Sequence, residues 1–256
     1  MIAVTWWGHS FVTVELGGTT VVTDPVMSRR LFHLRRESEP PPVSAAQADV
    51  VLISHLHHDH LHMPTLRRFE DEVPIVVPKG ALSAVRSLER LEAIEVEPGD
   101  QLSLAGVDIE VLPANHDGRR DKRPGAATAT SIGFRVNRAN ESFWYPGDTG
   151  PMDFSGVAAV DLALVPIGGW GPSLGSGHVD PYQAAEAVRD VGARWAVPVH
   201  YGTYWPVVLR SSGPKNQHWF RTPAPRFREA AWAQGLPTKI VIPEMGMRTP
   251  LMDNES

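Results

Sequence analysis

Five of the chain's 11 histidines, His55, His57, His58, His60 and His62, fall within eight residues, and Asp59 stands among them in the run HLHHDH. Imidazole suits zinc, iron and related divalent metals, and a carboxylate adds charge and a hard oxygen donor. The run follows DVVLIS (49–54), a β-branched apolar stretch that reads as a buried strand. In the turn after a strand, alternate side chains point into one cavity, so His55 and His57 are expected to bind one ion. Asp59 and His60 then project on its far side, as half of a second site, while Leu56 and His58 face away. Four donors do not close two sites, and the chain supplies more. VDIEVLPAN runs into His116, SFWYPG into Asp148 and RWAVPV into His200. Each of these residues follows a short apolar strand, and strand ends in open α/β folds are where loops converge on ligands.

The elements that must carry these residues are legible in outline. The N-terminus reads as a β-meander: a strand through Val4, SFVTVEL, a Gly17-Gly18 turn, then TTVVTDP ending at Asp24-Pro25. Residues 27–48, rich in Arg and Pro, read as a long loop with one short helical turn. Ala81, Leu82, Val85, Leu88 and Leu91 suggest an amphipathic helix over about 80–91, and another is expected at 61–71, directly after the histidines. Asp180-Pro181 is an N-cap followed by proline, with Gly192 closing that helix, and a further helix fits 224–234, stopped by Gly235. Strands and helices alternate without a linker or repeat, so 1–256 reads as a single α/β domain.

Composition narrows the function. Cysteine is absent, which removes disulfides, thiolate ligands and cysteine nucleophiles and leaves the cytoplasm as the default location. No run approaches the roughly 20 apolar residues of a membrane span, and the first residues do not follow the export-signal pattern. A net charge of −5 argues against a broad phosphate-tracking surface for nucleic acid.

Several residues carry two readings each. His178 ends the Gly-rich stretch GGWGPSLGSGHVDP, which lacks the phosphate-loop and dinucleotide fingerprints. It reads as a general acid or oxyanion donor, or as a histidine that hydrogen-bonds its own loop. Arg119 and Arg120 could clamp a phosphate or stand solvated. Trp170 could wall a pocket or simply pack, and RRLFHLRR (29–36) is a flap over an anionic or lipid substrate or an ordinary charged loop. Asp24 orients a metal ligand or caps a turn. His9, His33, His62 and His218 have no matching partners and read as structural or exposed.

TDP (23–25), ISHLHHDHL (53–61), PANHDGR (113–119), YPGDTG (145–150), LVPIGGWGP (164–172), GHVDPYQAAEAV (177–188) and HYGT (200–203) together resemble the metallo-β-lactamase fold superfamily. The similarity is greatest to the branch of ascorbate-phosphate lactonases and phospholipases D that hydrolyse N-acyl-phosphatidylethanolamine. It implies a four-layer αβ/βα sandwich, with His55, His57 and His116 on a first metal ion, Asp59, His60 and His200 on a second, and Asp148 bridging. Two cations roughly 3.5–4 Å apart can share a carboxylate and a water, whose pKa falls until hydroxide forms near neutrality. The expected cofactors are two divalent ions, zinc first, with manganese or iron as options. The expected activity is hydrolysis of a small phosphodiester, phosphoester or lactone, with Asp59 and His178 catalytic and Arg119, Trp170 and His178 at the substrate. A small molecule, with or without phosphate, is the expected partner, and no nucleic acid. An RNA-processing nuclease of the same superfamily, an iron enzyme acting on oxygen or sulfur, and a non-catalytic metal-binding protein are the alternatives. GAATATSIGF (125–134) departs from the aromatic-rich segment of phospholipase-like relatives, which speaks against a long-chain lipid.

Overall fold

In the computed structural model, which describes residues 1–121, 123–169, 174–209 and 220–252, the N-terminus folds into the expected meander. β1 (Ala3–Gly8), β2 (Phe11–Leu16) and β3 (Thr19–Thr23) pair antiparallel around the Gly17-Gly18 turn. Residues 27–48 are more ordered than a loop. They hold β4 (Arg30–Leu31), β5 (Leu34–Arg36) and a 3-10 turn at Val43–Ala46. The chain continues through β6 (Val50–Leu52), α1 (Met63–Leu66), β7 (Ile75–Pro78), α2 (Ala81–Ala84), β8 (Ala93–Val96), β9 (Gln101–Leu104) and β10 (Val107–Pro113). Then come β11 (Ile132–Arg138), β12 (Glu141–Tyr145), β13 (Leu162–Pro166), α3 (Pro181–Val191), β14 (Trp195–Val199) and β15 (Tyr204–Pro206). α4 (Pro223–Ala233), β16 (Lys239–Ile240) and β17 (Arg248–Pro250) complete the described elements.

Two mixed seven-stranded sheets result, in the orders β17-β1-β2-β3-β6-β7-β8 and β16-β14-β13-β12-β11-β10-β9. Their inner faces meet in one core, where Val4, Val14 and Leu52 pack with Phe134, Tyr145 and Val197. The outer face of the first sheet is covered by the segments carrying α1 and α2, and that of the second by α3 and α4. This helix–sheet–sheet–helix order is the α/β sandwich expected from the sequence. A third, three-stranded sheet, β15-β5-β4, ties residues 30–36 to the segment just after His200.

The helices show where periodicity was and was not informative. α3 is capped as its sequence requires: Asp180 accepts from the N–H groups of Tyr182 and Gln183, the Gln183 side chain accepts from Asp180 N–H, and Gly192 closes it left-handed. α4 lies within a residue of expectation. The helix expected at 80–91 is instead α2 followed by a 3-10 segment, Arg86–Arg90, broken at Val85. Leu82, Val85, Leu88 and Leu91 recur every three residues, a spacing that fits a 3-10 turn better than an α-helix. The helix expected at 61–71 shrinks to the four residues of α1, because the chain turns back at Arg67–Phe69 to reach β7.

The two sheets are bonded to each other beyond the ends of β6 and β12. Ile132 N–H donates to Ser54 O at 2.9 Å across the gap. Gly147 lies against Ser54 with φ +65°, and a Cβ there would overlap the Ser54 side chain. Left-handed strain and overpacking each cost about 1–2 kcal/mol. Gly147→Ala is therefore expected to lower the melting temperature by about 4–16 °C, at roughly 2–4 °C per kcal/mol for a chain this long. Thermal unfolding of the purified variant checks this, and a shift below about 1 °C would contradict the close approach.

Candidate metal centre

The strand-end histidines do converge. His55 Nε2 lies 2.9 Å from His57 Nδ1, and His116 Nε2 lies 3.2 Å from the same nitrogen. Hydrogen bonds on the opposite ring edges set these orientations. His116 Nδ1–H donates to Gly177 O at 2.7 Å, and His55 Nδ1–H donates to Ser54 Oγ, whose own hydroxyl donates to Asp24. A second group gathers around two carboxylates. Asp148 Oδ2 stands 2.9 Å from His200 Nε2, 3.3 Å from His60 Nε2 and 3.4 Å from His178 Nε2. Asp59 Oδ2 stands 3.0 Å from His9 Nε2, 3.9 Å from His60 Nε2 and 4.0 Å from His200 Nε2. Again the outer ring nitrogens are engaged: His60 Nδ1–H donates to Asp24 Oδ2 at 2.6 Å and His200 Nδ1–H to Gly168 O at 3.0 Å.

The donor set fits divalent metal. Ligands bound at about 2.0–2.1 Å in a tetrahedral shell lie about 3.3 Å apart, and most of the separations above cluster near that value. His60 Nε2, His200 Nε2 and Asp148 Oδ1 are buried with no hydrogen-bond partner among the described residues, and both imidazole nitrogens lie close to Asp148 Oδ2. Orphaned buried polar atoms are costly in a folded protein, and an ion between them would satisfy all three. The donors are nitrogen and oxygen alone, which suits zinc, iron or manganese.

The electrostatics agree. Burial opposes ionisation of Asp148, yet His200 and His60 outweigh it and hold the carboxyl well below its usual range. Asp59 is likewise held low against burial by His60 and His9. Burial keeps His55 and His116 neutral and lowers His57 to about 4, so their lone pairs stay available. Burial also works against charge on His60, but Asp148, Asp24 and Asp59 push it well above the ordinary range. A field that favours a proton on His60 favours a metal cation in its place.

The remaining sequence candidates divide. His178 lies at the cluster, its Nδ1–H on Leu174 O at 2.8 Å and its ring 4.9 Å from that of His116. Asp24 is fully buried and does orient a donor, since it accepts from His60, from Ser54 N–H and Oγ–H, and from the Tyr145 hydroxyl. Arg119 is half-exposed and ion-paired with Asp117 at 2.6 Å, so its guanidinium is not presented as a clamp. Arg120 is spent on structure: its Nη1 donates to the carbonyls of Leu56 and Leu61, bracing the HLHHDH loop. Leu56 is buried in the outer core and His58 faces Phe32, its ring 4.8 Å away. His62 bonds Ser28 and Thr65 rather than the cluster. His33 is exposed, and its carbonyl accepts from Val207 N–H. Trp170 and His218 lie outside the described residues. Sequence reasoning left His9 as structural or exposed, whereas it is buried beside Asp59, His60 and His200. The signal was the turn WWGHS itself, a polar residue at the tip of a buried hairpin.

Comparison with known proteins places this geometry. Residues 19–201 match the family model for the beta-lactamase superfamily domain. The chain is similar to an N-acyl-phosphatidylethanolamine-hydrolyzing phospholipase D of Caenorhabditis elegans, 32% identical over 78% of this chain and 64% of that one. It is also 31% identical to a metal-dependent hydrolase of Nitratidesulfovibrio vulgaris, over 78% of this chain and 80% of the relative. The chain spans less than two thirds of the nematode protein, and 59% of an uncharacterised Mycobacterium tuberculosis protein that matches at 31% identity. Among solved structures, Igni18, a metallo hydrolase of Ignicoccus hospitalis, superposes with a TM-score of 0.74 at 19% identity, covering 99% of both chains. A likeness at that identity speaks for the fold.

Asp24 generates the test of this geometry. In Asp24→Asn an amide NH2 would replace one carboxylate oxygen and face the donors it now accepts, either the three on Oδ2 or Ser54 N–H on Oδ1, at a cost of about 1–3 kcal/mol for groups left unsatisfied. His60 would lose its anchor, and zinc affinity is expected to fall about 10–100-fold. Thermal unfolding and zinc titration read the two effects separately, and a variant that matches the parent in both would remove Asp24 from the account.

Proposed function

The chain belongs to the metallo-β-lactamase superfamily of metal-dependent hydrolases, and on that premise we propose that it hydrolyses a small phosphodiester at a dinuclear site. The observation that carries the reading is the position of Asp148. Its Oδ2 lies within 3.4 Å of His60, His200 and His178, and it also groups with His116 of the first trio. A carboxylate so placed can serve both halves. In this reading His55, His57 and His116 would hold one ion and Asp59, His60 and His200 the other, with Asp148 available to both. Bound divalent ions, zinc first, supply Lewis acidity and lower the pKa of a water they hold.

The chain's own residues do the rest. Asp59, held ionised, is the group that would orient an attacking water and take up its proton. His178 has its pKa raised, because Asp148 outweighs the opposing effect of burial. It therefore carries a proton on Nε2, which it gives to the leaving oxygen. Gly168 O holds His200 Nδ1–H beside the cluster, and Phe32, at the tip of the hairpin 30–36, is exposed against His58. The nematode relative acts, by its name, on a phosphodiester, which favours that bond over a lactone or phosphomonoester. The weakly apolar run 125–134 favours a compact substrate over a long-chain lipid. No helix among the described residues is long and apolar enough to cross a membrane. A cytoplasmic setting and a small-molecule partner, rather than nucleic acid, belong to the same reading.

The test is turnover of a chromogenic phosphodiester, beside a lactone and a phosphomonoester, with metal content measured on the same preparations. The parent is expected to carry two ions per chain and to prefer the phosphodiester. Asp148→Ala is expected to lose at least about 10³-fold in kcat, and His178→Gln about 10²-fold, with a larger loss for poor leaving groups. Full turnover in Asp148→Ala would end the dinuclear mechanism.

A further inference from the structure

His9 occupies the turn between β1 and β2 with a left-handed backbone, φ 54°, a conformation side chains rarely adopt. Its main chain is fastened on both sides. His9 N–H donates to Thr203 Oγ1 at 2.6 Å, while its carbonyl accepts from Trp6 Nε1–H at 2.9 Å and from His200 N–H at 3.0 Å. His200 is also left-handed, φ 60°, so two strained residues from different sheets are bonded to each other. The side chain then reaches the HLHHDH loop. A carboxylate can only accept, so the 3.0 Å contact is His9 Nε2–H donating to Asp59 Oδ2. The His9 ring packs 4.1 Å from that of His200 and 5.3 Å from that of His60. Strain of this kind persists only where the surroundings impose it, and it concentrates at functional sites.

We propose that His9 is the positioning residue of the second half-site, joining Asp59 through its side chain and His200 through its carbonyl and ring. Asp59 and His200 lie 141 residues apart in the sequence and belong to loops of different sheets. Gly168 O already anchors the His200 ring, and His9 adds a bond to Asp59 and packing against that ring; side chains ordered only on ion binding would weaken that binding. His9 removes that cost from the second ion, while the His55, His57 and His116 trio has its own anchors. The inference rests on the two-site reading above.

The experiment is calorimetric titration of zinc into the chelator-stripped chain, for the parent and for three variants of His9. His9→Ala removes the bond. His9→Asn tolerates the left-handed backbone but is too short to reach Asp59, so it separates backbone from bond. His9→Gln places an amide N–H near the position of the imidazole Nε2–H. Folding of each is checked by circular dichroism. Ala and Asn are expected to weaken the second zinc about 10–100-fold while the first changes by less than about threefold, and Gln to restore most of the loss. Parent-like binding of both ions by His9→Ala, or a Gln variant no better than Ala, would overturn the role of His9. A parent that binds a single zinc would instead overturn the two-site reading, a distinguishable failure.

Discussion

One buried carboxylate holds the architecture and the site together. Asp24, at the end of β3 and fully buried, accepts from Ser54 N–H and Oγ–H, from His60 Nδ1–H and from the hydroxyl of Tyr145 on the opposite sheet. Those bonds fix the start of the HLHHDH loop, the orientation of a donor within it and the separation of the two sheets at their shared rim. A charge buried this deeply is tolerated only when it is surrounded by donors. Every donor around Asp24 belongs to a residue that shapes the metal centre or lies directly behind it. Burial and Asp24 together push the Tyr145 hydroxyl far above its usual range, so that it remains a donor at any ordinary pH.

From that point the site follows by convergence. Each sheet ends its central strands at one rim, and each contributes donors: His55, Asp59 and His60 from the first, His116, Asp148 and His200 from the second. Asn115 and Thr149–Gly150 stitch neighbouring loops, with Gly150 N–H on Asn115 O at 2.8 Å. The result is a set of inward-facing lone pairs whose outer edges are already engaged. Preorganisation of this sort reduces the cost of assembling an ion site, because the protein has oriented the donors before an ion arrives.

What the sequence made legible and what it did not share a physical explanation. The donors at strand ends were readable because strand, turn and donor are local: DVVLIS before His55 and RWAVPV before His200 lie within a few residues of what they position. The α3 caps were readable for the same reason. His9 was not, since its bond is to Asp59, 50 residues away, and its neighbour His200 is 191 residues away. Arg119 and Arg120 were ambiguous because one arginine's role depends on which carbonyls lie opposite. The helix expected at 80–91 failed on a period of three that apolar spacing alone does not separate from 3.6. The hairpin at 30–36 is short, two and three residues paired with each other, and the partner that extends it, β15 on β5, lies beyond His200.

The central claim is that seven side chains from two sheets hold two ions on either side of Asp148. The most direct measurement is an anomalous difference map from crystals grown with zinc, collected at the zinc edge. The account predicts two peaks roughly 3.5–4 Å apart, one among His55, His57 and His116 and the other among Asp59, His60 and His200, with the Asp148 carboxylate between them. A single peak, or a second one away from Asp59, His60 and His200, would contradict it.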